Sequence, residues 1–196
     1  MSSVRKLDRI PIPEYLEGEL KSPIKHEYLG GMVYAMAGAT NAHNIIAVNL
    51  VVALQTRLRG SRCRAFNADT KIRVRLPTHW RFYYPDASVV CRPNAQSESF
   101  QDEPAVIVEV MSQATRRIDE GEKKDAYLTI PSLSAYVLLE QNAPAATVYR
   151  RTEQAFRREV YTGLTACISL REVDTELKLS DVYEGVEFVA EPSGEN

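Results

Sequence analysis

Residues 105–111 read AVIVEVM, a nearly continuous apolar run broken by one carboxylate, Glu109. A run this rich in Val and Ile fits a central strand covered on both faces. A charge inside such a strand is costly unless it is paired or binds a cation. Two readings follow. Glu109 either sits at a strand end, facing solvent or an arginine, or is held rigidly as an oxygen ligand for a hard cation such as Mg²⁺.

The flanking segments alternate between strand and helix signals. Tyr28 to Tyr34 reads as two short strands around Gly30-Gly31, an N-terminal β-hairpin. Residues 42–59 predict a helix whose apolar stripe of Ile46, Leu50, Ala53 and Leu54 is widened by Ile45, Val48 and Val52. Strand character returns at 62–66, 71–76 and 83–91, with a wet, basic face expected for Lys71, Arg73 and Arg75. A polar loop over 92–103 precedes the central strand, and residues 116–130 predict a helix ending before Pro131. Three strands at 134–140, 146–151 and 156–161 and a short closing element at 177–183 complete an α/β pattern. The expectation is one mixed sheet flanked by helices in a single domain over 1–196. Pro11 and Pro13 predict an irregular segment over 1–22, and residues 191–196 a frayed polar tail.

Several function classes drop out. A net charge of −2 counts mildly against a basic nucleic-acid coat, while leaving room for local patches. Cys63, Cys91 and Cys167 are odd in number and form no CxxC, so neither a disulfide framework nor a cysteine zinc site is expected, and a cytoplasmic location is. The apolar stretch 45–54 is too short for a membrane span. His26, His43 and His79 lack zinc-ligand spacing. No phosphate-binding glycine loop or nucleophile elbow occurs.

A second carboxylate strengthens the cation reading. Asp86 follows Pro85 at the head of a β-branched run, and proline suits the start of a strand because it has no amide proton to give. An acid on each of two successive strands, if those strands pair, brings both to one metal. Further on, Asp119, Lys123 and Tyr127 are four residues apart and share a helix face. A surface ladder with an Asp119-x-x-Glu122 capping box is the bland alternative. The functional one turns Lys123 toward the metal. Arg116 and Arg117, and Arg73 and Arg75, are candidates for phosphate contacts or simply solvated faces. Tyr83 and Tyr84 pack or stack beside the carboxylates.

Three segments, HEYLGGMVYAMAGATNAHN at 26–44, YYPDASVVC at 83–91 and PAVIVEVMSQATRRIDEGEKKDAYLTIPSLSAYVLLE at 104–140, resemble the Uma2 family of the PD-(D/E)XK nuclease superfamily. The resemblance implies a restriction-endonuclease-like fold and a Mg²⁺- or Mn²⁺-dependent endonuclease acting on DNA as a homodimer. It implies that Asp86 and Glu109 hold the metal, that the carbonyl of Val110 adds a ligand, and that Glu27 is an accessory acid. Lys123 becomes the catalytic lysine, with Lys124 adjacent as its rival. Met111 fills the slot where the wider superfamily carries that lysine, two residues after Glu109. His43 matches a recurring family position, consistent with a supporting role or an ordinary structural one. A catalytically silent nucleic-acid-binding or protein-interaction module on the same fold is the alternative function.

Overall fold

The computed structural model describes residues 9–188; the tail expected over 191–196 lies outside them. Helix α1 (Ile12–Lys21) comes first, which corrects the irregular segment expected there. Pro11 stands at the N-cap and Pro13 within the first turn, where an amide proton has no helical partner to lose. The two prolines start a helix instead of preventing one.

Strands β1 (His26–Leu29) and β2 (Met32–Ala35) form the expected hairpin. Its turn puts Gly30 at φ 60° and Gly31 at φ 106°, the left-handed region that a two-residue hairpin turn of the primed type demands. Helix α2 (Asn41–Arg57) follows, its N-cap Thr40 accepting a hydrogen bond from the amide of His43 at 3.2 Å. Ile46, Leu50, Ala53 and Leu54 are buried, but Ile45, Val48 and Val52 are exposed, so the core stripe is narrower than expected.

Strands β3 (Arg64–Asn67), β4 (Lys71–Arg75), β5 (Trp80–Tyr83), β6 (Ala87–Val90), β7 (Phe100–Gln101) and β8 (Pro104–Met111) come next. The single strand expected over 83–91 is thus two, separated by Tyr84-Pro85-Asp86. Lys71 is buried against the hydroxyl of Tyr84 at 3.0 Å, so the face of β4 is less wet than its alternation predicted. Helix α3 (Arg116–Ile118), a π-helical turn (Asp119–Lys123) and α4 (Lys124–Tyr127) run on continuously. Strands β9 (Ala135–Glu140), β10 (Ala145–Arg151) and β11 (Phe156–Thr162) follow. A hairpin of β12 (Cys167–Leu170) and β13 (Thr175–Lys178) and the short α5 (Leu179–Val182) close the chain.

Two larger sheets result, where one was expected. The six-stranded sheet runs β11-β10-β9-β8-β6-β3, and it is mixed because β8 and β9 are parallel while its other pairs are antiparallel. The five-stranded sheet runs β2-β1-β5-β4-β7 and takes up the N-terminal hairpin. In β8, Val106, Val108 and Val110 pack under α2, while Ile107 and Met111 pack toward Tyr83 and Tyr127. Both faces are covered, as the apolar run required. A third cluster of Tyr15, Tyr28, Phe82 and Phe100 seats α1 on the outer face of the five-stranded sheet.

Cys63 and Cys91 are joined by a disulfide, contrary to the expectation that the cysteines stand apart. The reason is register. Strand β3 pairs antiparallel with β6, Arg64 opposite Val90, so the residues just beyond that end of the ladder face each other. A separation of 28 residues hides this from the sequence.

Candidate active site

Strand alternation puts Glu109 on the β8 face shared by Ile107 and Met111. It is only 4% exposed. Strand β6 lies antiparallel to β8 with Ala87 opposite Val108, and one further step in that register sets Asp86 opposite Glu109. Two backbone amides fasten the pair. That of Asp86 donates to Glu109 Oε2 at 3.4 Å, and that of Val110 donates to Asp86 Oδ2 at 2.7 Å.

The other side chains arrive from three directions. Tyr28 points outward into the aromatic cluster under α1, so its neighbour Glu27 points inward, where its Oε1 meets Lys123 Nζ at 2.9 Å. Lys123 also reaches Glu109 at 3.4 Å and Asp119 at 3.8 Å. Tyr127 directs its hydroxyl at Glu109 Oε1, 3.4 Å away. His43 Nε2 lies 3.4 Å from Asp86 Oδ2, while its buried Nδ1 finds no hydrogen-bond partner among the described residues. The structure therefore brings together Glu27, His43, Asp86, Glu109, Asp119, Lys123 and Tyr127. Lys124 points elsewhere, to Asp125 at 3.7 Å and over the ring of Tyr149.

The electrostatics reflect burial and crowding. Burial pushes the Glu109 carboxyl well above the ordinary range; Lys123 pulls it back, and Asp119, Asp86 and Glu27 push it further up. Asp119 is raised by the same burial, against the pull of Lys123. For Lys123, burial opposes the charge, but Glu109, Glu27 and Asp119 outweigh it and hold the ammonium above the usual lysine range. Burial likewise opposes charge on His43, and Asp86 and the Val110 backbone together overcome it. Tyr127 is raised by burial and by Glu109, so it serves as a neutral donor.

Four carboxyl groups thus crowd around one lysine and one histidine. Among the described residues no three His, Cys, Asp or Glu side chains stand close enough to form a metal shell by themselves. The Lys123 ammonium occupies the point where Glu27, Glu109 and Asp119 meet. The residue types present nonetheless suit a hard divalent cation, which takes carboxylate oxygens as ligands.

The arginines behave differently from expectation. Arg73 makes a bidentate pair with Asp102, both bonds at 2.6 Å, and Arg75 approaches the same carboxylate at 3.4 Å. Arg73 lies opposite Phe82 and Phe82 opposite Tyr28, so Arg73 and Arg75 project from the face of the sheet away from Glu27. Arg116 is engaged by Glu140 and Glu120. Arg117 is exposed. Sequence reasoning missed Arg81, whose Nη1 donates to Tyr83 Oη at 2.9 Å and to Glu122 at 3.1 Å. The Tyr83 hydroxyl in turn donates to Glu122 at 3.0 Å, tying the π-helical turn to β5. A strand reading begun at 80 and not at 83 would have put Arg81 and Tyr83 on one face.

The fold is shared with a crystal structure from Anabaena variabilis described as a "putative nuclease belonging to DUF820". That match has a TM-score of 0.67 at 18% identity and covers 86% of this chain and 97% of the other. The class that fold and site define is a restriction-endonuclease-like α/β protein with paired strand carboxylates and a helix-borne lysine. The chain belongs to the Uma2 family, described as "Putative restriction endonuclease", whose model matches residues 12–181. Two Synechocystis proteins, both named as uncharacterized, are each 29% identical to it. One is aligned over 89% of this chain and 92% of its own length, the other over 65% and 73%.

Proposed function

We propose that this protein is an endonuclease that hydrolyses phosphodiester bonds of DNA, using Mg²⁺ or Mn²⁺ and acting as a homodimer. The observation that carries the reading is the convergence of Glu27, Glu109 and Asp119 on the buried ammonium of Lys123, beside an Asp86 locked to the amide of Val110. Burying several acids around one ammonium costs desolvation energy that stability alone does not require. A site that handles a phosphate and a cation has use for such a cluster.

Asp86, Glu109 and the Val110 carbonyl would hold the cation, whose chemistry is to neutralise phosphoryl charge and to acidify a water. Asp86 contributes rigidity, since the Val110 amide fixes the carboxylate before any ligand arrives. Lys123 stays protonated, so it acts as a fixed positive charge and hydrogen-bond donor toward the attacking water and the developing phosphorane oxygens. Glu27 orients Lys123 through the 2.9 Å contact, and Tyr127 orients Glu109. In the reaction a water oxygen bonds to phosphorus as the P–O bond to the sugar breaks. The water's proton passes to a site base and the leaving oxygen takes one up. Two such sites in a dimer address the two strands of a duplex.

Calorimetric titration with Mn²⁺ tests the site directly. Binding by the native chain that disappears in Glu109→Ala supports the reading, and equal binding by both chains overturns it.

A further inference from the structure

We propose that Glu19 of α1 is a positioning residue for this site, holding the strand that carries Glu27 and the turn that carries Asp86 in a fixed relation. The inference rests on the nuclease reading above. Glu19 is a carboxylate with a side chain 5% exposed, on a helix that contributes none of the acids discussed so far. Its Oε1 accepts from the His26 amide at 2.8 Å and from the Tyr84 hydroxyl at 2.9 Å, while Oε2 lies 3.1 Å from His26 Nδ1. His26 directly precedes Glu27; Tyr84 stands two residues before Asp86. One side chain therefore grips both segments.

Its surroundings reinforce the grip. Tyr15, one helical turn earlier, donates its hydroxyl to the His26 carbonyl at 2.7 Å, so α1 holds both polar groups of that residue's backbone. Lys71 Nζ donates to the Tyr84 hydroxyl at 3.0 Å and supplies positive charge beside the carboxylate. The Tyr84 amide in turn faces Glu27 Oε1 at 3.5 Å. Hydrogen bonds are directional, which suits a brace better than apolar packing would. Strand β1 pairs with β5 only at Tyr28 and Leu29, so the ladder to β5 does not extend to Glu27. The Glu27 backbone is laddered only to Tyr34 of the edge strand β2, so α1, by gripping His26, adds a second anchor next to it.

Plasmid nicking with Mn²⁺ and amide hydrogen exchange, both on the full chain, test this with Glu19→Ala, Glu19→Gln and Tyr84→Phe. A displacement of about 1 Å at a reacting group costs about a hundredfold in rate, so Glu19→Ala is expected to lower kcat by about tenfold or more and leave KM within about twofold. Glu19→Gln should restore most of that loss, because its carbonyl oxygen still accepts from His26 and Tyr84. Unchanged kcat in Glu19→Ala, or no recovery in Glu19→Gln, overturns the proposal. If Glu19→Ala does not fold, Tyr84→Phe decides: a lower kcat at constant KM supports the brace, and native kcat overturns it. Exchange separates this from failure of the nuclease reading. If the native chain cuts nothing, that reading falls; faster exchange at 26–28 in Glu19→Ala, or in Tyr84→Phe if Glu19→Ala does not fold, with β9 and Glu19→Gln unchanged, still supports the brace, and unchanged exchange removes it.

Discussion

Asp86 and Glu109 stand opposite each other one step beyond the β6–β8 ladder, each carboxylate taking a hydrogen bond from the other strand's backbone. Pro85, which has no amide proton, ends the ladder just before this pair. Backbone amides thus hold both acids, in addition to the side chains of His43 at Asp86 and of Lys123 and Tyr127 at Glu109. Asp86→Asn keeps an oxygen for the Val110 amide but removes a charge. Its expected outcome is a native-like melting temperature with Mn²⁺ affinity reduced by about tenfold or more, as when a charged ligand is neutralised. Calorimetry alongside thermal melts checks both halves.

Lys123 is the counter-charge of two buried acids and one partly buried one, so its removal has a predictable sign. Lys123→Ala leaves Glu27, Glu109 and Asp119 without their common partner. Breaking such a buried pair costs about 3–5 kcal/mol. Denaturant unfolding without metal should show that loss, and nicking should fall by about a hundredfold or more. Lys124→Ala, which removes a lysine pointing away from the site, should do neither.

The raised carboxyls set the pH dependence. Glu109 and Asp119 both hold protons more tightly folded than unfolded, because burial penalises their charged forms. Their stabilising contribution is complete below the ordinary carboxylate range and is lost as pH rises through the folded values. His43, raised by Asp86 despite burial, has the same sign above the ordinary imidazole range. Metal-free protein should therefore lose stability from these groups as pH rises from about 4 toward 8. Divalent cations should restore more of it at the upper end. Melting temperatures across that range, with and without Mn²⁺, test the sign.

The disulfide makes a separate prediction. Cys63 and Cys91 lie at the far end of the β3–β6 ladder from Asp86. Closing a loop of this length stabilises by about 3.5 kcal/mol, chiefly through the unfolded chain. Cys63→Ser should cost about that much in denaturant unfolding, with nicking unaffected.

On the proposed function, Arg73 and Arg117 should differ in their contribution to DNA binding. Arg73 and Arg75 point away from Glu27, and Arg73 is committed to Asp102. Arg73→Ala should lower stability without changing DNA affinity. Arg117→Ala should weaken binding across sequences and reduce the salt slope by about 1. Fluorescence anisotropy at several salt concentrations distinguishes them.

Much of this was legible in the chain. The run around Glu109 announced a doubly covered strand, and Gly30-Gly31 a hairpin, because local steric rules govern both. The spacing of Asp119, Lys123 and Tyr127 placed them on one face, and a π-helical turn there did not disturb it. Contacts set by long-range register were hidden. Nothing local announces that Cys63 meets Cys91, that Arg73 turns to Asp102, or that Glu19 reaches His26 and Tyr84. Helix α1 was missed because two prolines usually break structure, whereas here they initiate it. Spacing left the role proposed for Lys123 as one of two readings, and family resemblance favoured it although Met111 fills the usual lysine position.

The most direct test is nicking of supercoiled plasmid with Mg²⁺ or Mn²⁺ by the native chain and by Asp86→Ala, Glu109→Ala and Lys123→Ala. The account predicts metal-dependent nicking by the native protein and its loss in all three variants. Equal activity in all four proteins, or none in the native one, would contradict it.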